Sequence, residues 1–270
     1  MELGCDLVHN PAARWTRWYE AVAGKLGGMS DPDLHFYFDP VCPFAWMTSK
    51  WVRTVARQKA YAVEWRFISL RLLNSHLDYD THFPPEYEES HTSGLKLLRV
   101  AARVRREHGP APIGKFYETL GQETFERDAV PGGTAAAVHR GVRQLAETAL
   151  AACDLPASYA DALEDETWDA VIQAETDVAL TLTGKDVGTP ILHFEPPLGT
   201  ALFGPVISRL PGDAEAVELW DHVVALSRFP GFAELKRSLR ERPQLPSFGV
   251  STDEVGKQED WHGGSRRQKK

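Results

Sequence analysis

The sequence predicts an α/β fold in which a β-α-β unit and a later β-β-α unit are separated by a block of helices. Three observations carry this. An apolar run at 34–39 and an alternating run at 62–70 flank a segment whose apolar residues recur at helical spacing. From 86 to 184 the periodicity is helical throughout. Short β-type runs return at 190–194 and 201–203, followed by one more amphipathic segment from 214 to 227.

Residues 1–30 read as an N-terminal extension: an amphipathic patch around Trp15, Trp18, Tyr19 and Val22, then a break at Gly24, Gly27 and Gly28, with Met29 as an alternative start of translation. Residues 31–85 form the first part of the α/β unit. Its first strand is Leu34-His-Phe-Tyr-Phe-Asp39, and its helix opens at Cys42-Pro43 with Trp46, Trp51, Val52 and Val55 as the apolar stripe. The second strand sets Val63, Trp65 and Phe67 against Glu64 and Arg66. The insertion at 86–184 contains amphipathic segments around Leu95, Leu98 and Ala102, around Phe116, Leu120 and Phe125, and around Val138, Val142, Leu145 and Leu150. Gly109-Pro110 and Asp154-Leu-Pro156 punctuate them. In the second part, 185–240, the two short strands are joined through Pro196-Pro-Leu-Gly199 as a hairpin with a longer loop, and Val217, Trp220, Val223 and Val224 line the last helix. The polar, Gly-rich stretch 241–270 is expected to be a disordered tail.

A chain of 270 residues buries a substantial core. Its net charge of −8 argues against a general nucleic-acid binder, because phosphate recognition needs clustered cations and the only such cluster is the terminal Arg266-Arg-Gln-Lys-Lys270. The cysteines Cys5, Cys42 and Cys153 are too few and odd in number for a secreted disulfide framework, which points to a reducing, cytoplasmic setting. No apolar run approaches a membrane span, and the N-terminus lacks a signal-peptide core.

The chemistry concentrates at Phe38-Asp-Pro-Val-Cys-Pro-Phe-Ala-Trp46. A cysteine at a helix start sits among unpaired N–H groups at the positive end of the macrodipole, an environment that favours thiolate and brings a thiol pKa to roughly 3.5–7.5. Pro43 suits the first helical position, since it needs no N–H and its φ is already helical. An isolated free cysteine is more often a small buried hydrophobe; a strand, a tight turn and Cys-Pro at a helix start reverse that reading for Cys42. A two-cysteine redox motif would carry its second thiol at position 45, which is Ala45. Disulfide chemistry at Cys42 therefore passes through a mixed disulfide resolved by another thiol.

With these residues the chain resembles the DsbA-like branch of the thioredoxin superfamily, and within it the actinobacterial mycothiol-dependent nitroreductase family. The resemblance covers about residues 34 to 240 and rests on Phe38-Asp-Pro-Val-Cys-Pro-Phe-Ala-Trp46, Ser69-Leu-Arg-Leu-Leu-Asn74, Pro84-Pro-Glu-Tyr87, Asp186-Val-Gly-Thr-Pro190, Phe203-Gly-Pro-Val206, Leu219-Trp-Asp221 and Phe232-Ala-Glu-Leu-Lys-Arg237, in family order. It implies a thioredoxin-like fold with a helical insertion, no tightly bound cofactor, and mycothiol or a similar low-molecular-weight thiol as cosubstrate. The partners it implies are that thiol and a small-molecule or protein disulfide, with neither nucleic acid nor membrane. Cys42 is the implied nucleophile, and Pro43, Phe44, Asn74, Tyr87, Thr189 and Pro190 the implied thiol- and substrate-binding residues. The resemblance also implies a cis bond at Thr189-Pro190, where an ordinary X-Pro bond is trans, and a Thr189 backbone that aligns a thiol-bearing substrate. A turn-forming Asn74 and a packed Tyr87 remain the structural alternatives. Members of the family typically carry Cys-Pro-Trp-Cys; here Phe44 and Ala45 replace the last two residues, which calls the dithiol cycle and nitro reduction into question.

The ten histidines form no spacing typical of zinc, and His76 and His82 share only a loop. Cys153, at a helix end, reads as structural. Three functions compete: a monothiol oxidoreductase, an enzyme of the kappa-glutathione-transferase or isomerase kind that activates a bound thiol, and a non-catalytic binding protein retaining the fold.

Overall fold

A computed structural model describes residues 32–127, 141–237, 240–251 and 258–259. Strand β1 (Leu34–Phe38) leads into helix α1 (Pro43–Lys59) and strand β2 (Val63–Phe67). Two short helices, α2 (Leu70–Leu73) and α3 (Tyr79–His82), follow, and then the helical block: α4 (Glu86–His108), α5 (Ile113–Phe125) and α6 (Val142–Ala152), two 3-10 turns at Ala157–Glu164 and Glu166–Trp168, and α7 (Asp169–Thr183). Strands β3 (Ile191–Phe194) and β4 (Ala201–Phe203) and helix α8 (Asp213–Arg228) complete the α/β unit.

The sheet order is β2-β1-β3-β4, with β2 parallel to β1, and β3 antiparallel to both β1 and β4. This is the thioredoxin-like arrangement: the β-α-β half is parallel because its strands are joined by a helical crossover, and the β-β half antiparallel because a short loop joins it. Strand alternation sorts the two faces. Leu34, Phe36, Phe38, Leu192 and Phe194 join the large core that also holds Trp46, Trp51 and Trp220, so α1 and α8 cover one face. The pair is locked where Trp51 Nε1 donates to the Ala216 carbonyl at 2.9 Å and its ring meets Trp220 at 5.4 Å. Tyr37, Ile68 and Ile191 point the other way, onto Ala179 of α7. There Glu175 accepts from the Phe67 amide at 2.8 Å and pairs with Arg66 at 3.0 Å and Arg105 at 2.7 Å. Those cations hold its buried carboxyl below the usual range against the opposing effect of burial.

Helix α5 packs on the same core as α1. Tyr117 stacks on Phe38 at 3.9 Å, and Gly121 lies against Trp46, where an added Cβ would come within 2.1 Å of the indole. Trp46 cannot retreat, because it is buried and its Nε1 donates to Glu126 Oε1 at 2.6 Å. Gly121→Ala should therefore destabilise the protein by about 2–3 kcal/mol through overpacking. A urea unfolding curve with an unchanged midpoint would contradict that.

Three differences from the sequence expectations have local causes. The second strand stops at Phe67, before residue 70, because the Ser69 hydroxyl caps α2 by accepting from the Leu72 amide at 3.4 Å. Helix α7 is a further helix of the insertion that its mixed apolar spacing concealed. Residues 241–251 of the expected disordered tail are packed on the fold: Leu245 is fully buried in the main core, and the Gln244 amide donates to the Ser208 carbonyl at 2.8 Å. The expected N-terminal extension, Val138 and, of the expected tail, residues 252–257 and 260–270 lie outside the described ones. No described helix is long and apolar enough to cross a membrane.

The sheet also carries buried histidines. His35 and His193 are register partners on β1 and β3 with ring centroids 5.6 Å apart; burial is the main reason both resist protonation, and His35 is pushed down to about 2. In the insertion, burial takes His91 to about 4. Unfolded, each would titrate near 6.5, so the unfolded state binds protons that the folded state refuses. Stability is thus present above about pH 6.5 and lost as pH falls toward the folded values, at about 1.4 kcal/mol per pH unit for each of His35 and His91. Asp39 runs the opposite way, since burial raises its carboxyl to about 7 and favours the acid form of the fold. His35 and His91 outweigh Asp39, with Glu64, also raised by burial, opposing them, and the melting temperature should be about 2–4 °C lower at pH 5 than at pH 7. Calorimetry that gives an equal or higher value at pH 5 would refute this linkage.

Candidate active site

The turn between β1 and α1 is built by Asp39. Its carbonyl accepts from the Cys42 amide at 3.1 Å, and its carboxylate Oδ1 accepts from the Val41 amide at 3.0 Å. This closes Asp39-Pro-Val-Cys42 into a turn that delivers Cys42 to the N-cap of α1, with Pro43 as the first helical residue. The sulfur is itself the capping group, because the Ala45 amide donates to Sγ at 3.4 Å. On its other side the thiol donates to the Thr189 carbonyl at 3.4 Å.

Thr189 reaches this position from the loop before β3. The Thr189-Pro190 bond is cis, both residues are buried, and the Thr189 hydroxyl donates to the Tyr37 carbonyl at 3.1 Å. Residues 147 apart in sequence thus meet at one sulfur. A thiolate here would keep the Ala45 amide as its donor, while the Thr189 carbonyl, which can only accept, would be released to pair with an N–H of an incoming chain. Cys42 is 7% exposed.

The other expected site residues divide. Phe44 points into the main core, 6% exposed, and Ala45 is fully buried beside it. Asn74 caps the end of α2, its side-chain amide donating to the Leu70 carbonyl at 2.8 Å. Tyr87 is half-buried on α4, stacked on Phe83 at 5.9 Å and tilted against His91 at 5.5 Å. Asn74 and Tyr87 thus each make a structural contact, while the thiol, Pro43, Thr189 and Pro190 come together.

Asp39 escaped the sequence reading, where Asp-Pro served only as punctuation. Its position directly after a strand and three residues before the cysteine was the available signal. The buried Tyr79–His91 pair, joined at 3.0 Å, was hidden among ten histidines. His76 and His82 are exposed, and no three His, Cys, Asp or Glu side chains among the described residues form a metal site. Cys153 ends α6 half-buried, its thiol 3.8 Å from the Pro112 carbonyl, and burial pushes its pKa up, so it is a poor attacking thiol. Cys5 lies outside the described residues.

Comparison with known proteins gives three findings. The sequence model of the family described as Rv2466c-like, mycothiol-dependent nitroreductase Rv2466c, matches residues 41–237. An uncharacterised protein of Mycobacterium tuberculosis, Rv2286c, is 32% identical over 204 residues, covering 76% of this chain and 81% of that one. Among solved structures, the cytosolic disulfide reductase DsbM from Pseudomonas aeruginosa with GSH aligns at 12% identity and a TM-score of 0.43, over 71% of this chain and 98% of that one. DsbA of Chlamydia trachomatis aligns at 10% and 0.41, over 75% and 92%.

Proposed function

This chain belongs to the Rv2466c-like family of mycothiol-dependent nitroreductases, and we propose that it is a cytoplasmic thiol-disulfide oxidoreductase working through Cys42 alone, with mycothiol as cosubstrate. The observation that carries this is the placement of the Cys42 sulfur, capping a helix and facing the Thr189 carbonyl beside a cis proline, with Ala45 where a resolving thiol would stand.

In the proposed cycle the Cys42 thiolate attacks the mycothiol sulfur of a mixed disulfide between mycothiol and a small molecule or protein. The S–S bond breaks, its electron pair leaves with the substrate sulfur, and that thiolate takes a proton from water. Cys42 is left disulfide-bonded to mycothiol. A second mycothiol thiolate attacks the bound mycothiol sulfur, releasing oxidised mycothiol and restoring the Cys42 thiolate. The substrate disulfide gains two electrons and two mycothiols lose them. Reduction of a nitro group would need a second thiol from outside the motif to supply reducing equivalents alongside Cys42, because no internal disulfide can form within the motif.

The test is intact-mass spectrometry after mixing the protein with oxidised mycothiol. A single adduct mapped to Cys42 supports the cycle; no adduct under conditions that label a dithiol control protein would overturn it.

A further inference from the structure

We propose that Asp39 and Gly94 are positioning residues that hold the Cys42 turn in register with the segment Leu70–Leu73, an inference that rests on the reading of Cys42 as the nucleophile. One carboxylate joins two pieces of chain. Its Oδ1 accepts from the Val41 amide at 3.0 Å, one residue before the thiol, and its Oδ2 accepts from the Leu70 amide at 2.8 Å. Leu70 opens α2, and its carbonyl in turn receives the side-chain amide of Asn74 at 2.8 Å and the Tyr79 hydroxyl at 3.5 Å. A shift of the carboxylate would therefore move the thiol turn relative to α2 and the residues tied to it.

Gly94 makes this arrangement possible. It lies in the middle of α4, where glycine costs about 1 kcal/mol relative to alanine, so local helix propensity does not explain it. A Cβ at that position would sit 2.6 Å from Asp39 Oδ1 and 2.8 Å from Val41 Cγ2. The bare backbone of α4 is thus pressed onto the bond between Asp39 and Val41, and Asp39 is 0% exposed. Burial lifts its carboxyl to about 7, against the two amide hydrogen bonds that lower it. The titratable groups whose charge couples to this site are Tyr79 of α3, which feels Asp39, and Tyr117 of α5, which feels both Asp39 and Cys42.

The experiment follows alkylation of Cys42 by iodoacetamide, read by peptide mass spectrometry so that Cys5 and Cys153 do not interfere, from about pH 5 to 9. In Asp39→Asn and in Gly94→Ala the limiting rate should fall about tenfold or more, because displacements near 1 Å cost that much at a reacting atom. The part of any inflection near pH 7 that comes from Asp39 rather than from the thiol itself should be absent in Asp39→Asn. The double variant should be no slower than the slower single variant, since both changes break one device. Folded variants with the wild-type rate and profile would overturn the proposal. If Gly94→Ala does not fold, the near-isosteric Asp39→Asn decides the matter by its pH profile. Mycothiol is absent from this measurement, so failure of the mycothiol cycle and failure of the Asp39–Gly94 device are read separately.

Discussion

Cys42→Ser should lose disulfide-reducing activity by about a thousandfold or more, the scale on which removal of a covalent nucleophile acts, while remaining at least as stable as the wild type. The stability follows from the cap. Serine is a preferred N-cap residue, its hydroxyl can accept from the Ala45 amide and donate to the Thr189 carbonyl as the thiol does, and it is smaller than the cysteine it replaces. The chemistry does not survive, because an unactivated hydroxyl is not ionised near neutrality and cannot enter thiol–disulfide exchange. Paired measurements of mycothiol-disulfide reduction and of melting temperature separate the two effects. Retention of more than about a tenth of the activity would remove Cys42 as nucleophile. The cleft would then be one that activates the thiol of a bound cosubstrate, a role in which an oxygen at position 42 suffices.

Much of the site could be read from local sequence because its central features are local. Cys42 and Pro43 form a helix start through their own geometry, and the β1 residues before them alternate between the two sheet faces. Even Pro190 was reachable, though only through resemblance: nothing in the residues themselves distinguishes its cis bond from an ordinary trans one. What sequence could not give is what distant elements impose. Asp39 matters through the Leu70 amide and through Gly94, 31 and 55 residues further along the chain. Leu245 sits in a stretch whose composition is polar, yet it fills a gap in a core formed by other segments. Composition averages over neighbours in sequence, and burial is decided by neighbours in space. Phe44 illustrates the reverse error. A residue adjacent to the thiol was expected to face the ligand, but at the second position of a helix its side chain is carried inward with Ala45.

Ala45→Cys should convert the monothiol site into a dithiol one. Positions 42 and 45 are three residues apart across the first turn of α1, a Cα separation of about 5 Å by helix geometry, inside the 4.4–6.8 Å range that a disulfide spans. The existing contact supports the approach, since the Ala45 amide already lies 3.4 Å from Cys42 Sγ. Ala45 is fully buried, so a new sulfur has room chiefly by turning toward Cys42, and bond formation relieves the crowding that a free thiol would cause. Once mycothiol is attached to Cys42, the neighbouring thiol would attack at an effective concentration far above that of free mycothiol. The adduct should then become transient, and the oxidised variant should retain two reactive thiols, Cys5 and Cys153, after denaturation. It should also gain disulfide-reductase activity dependent on a dithiol cycle. Thiol counting that finds four free sulfurs after mild oxidation would mean that the side chain at position 45 turns away from Cys42. The helix start would then be shaped to present a single group to a bound thiol, and the transferase-like reading would displace the exchange cycle.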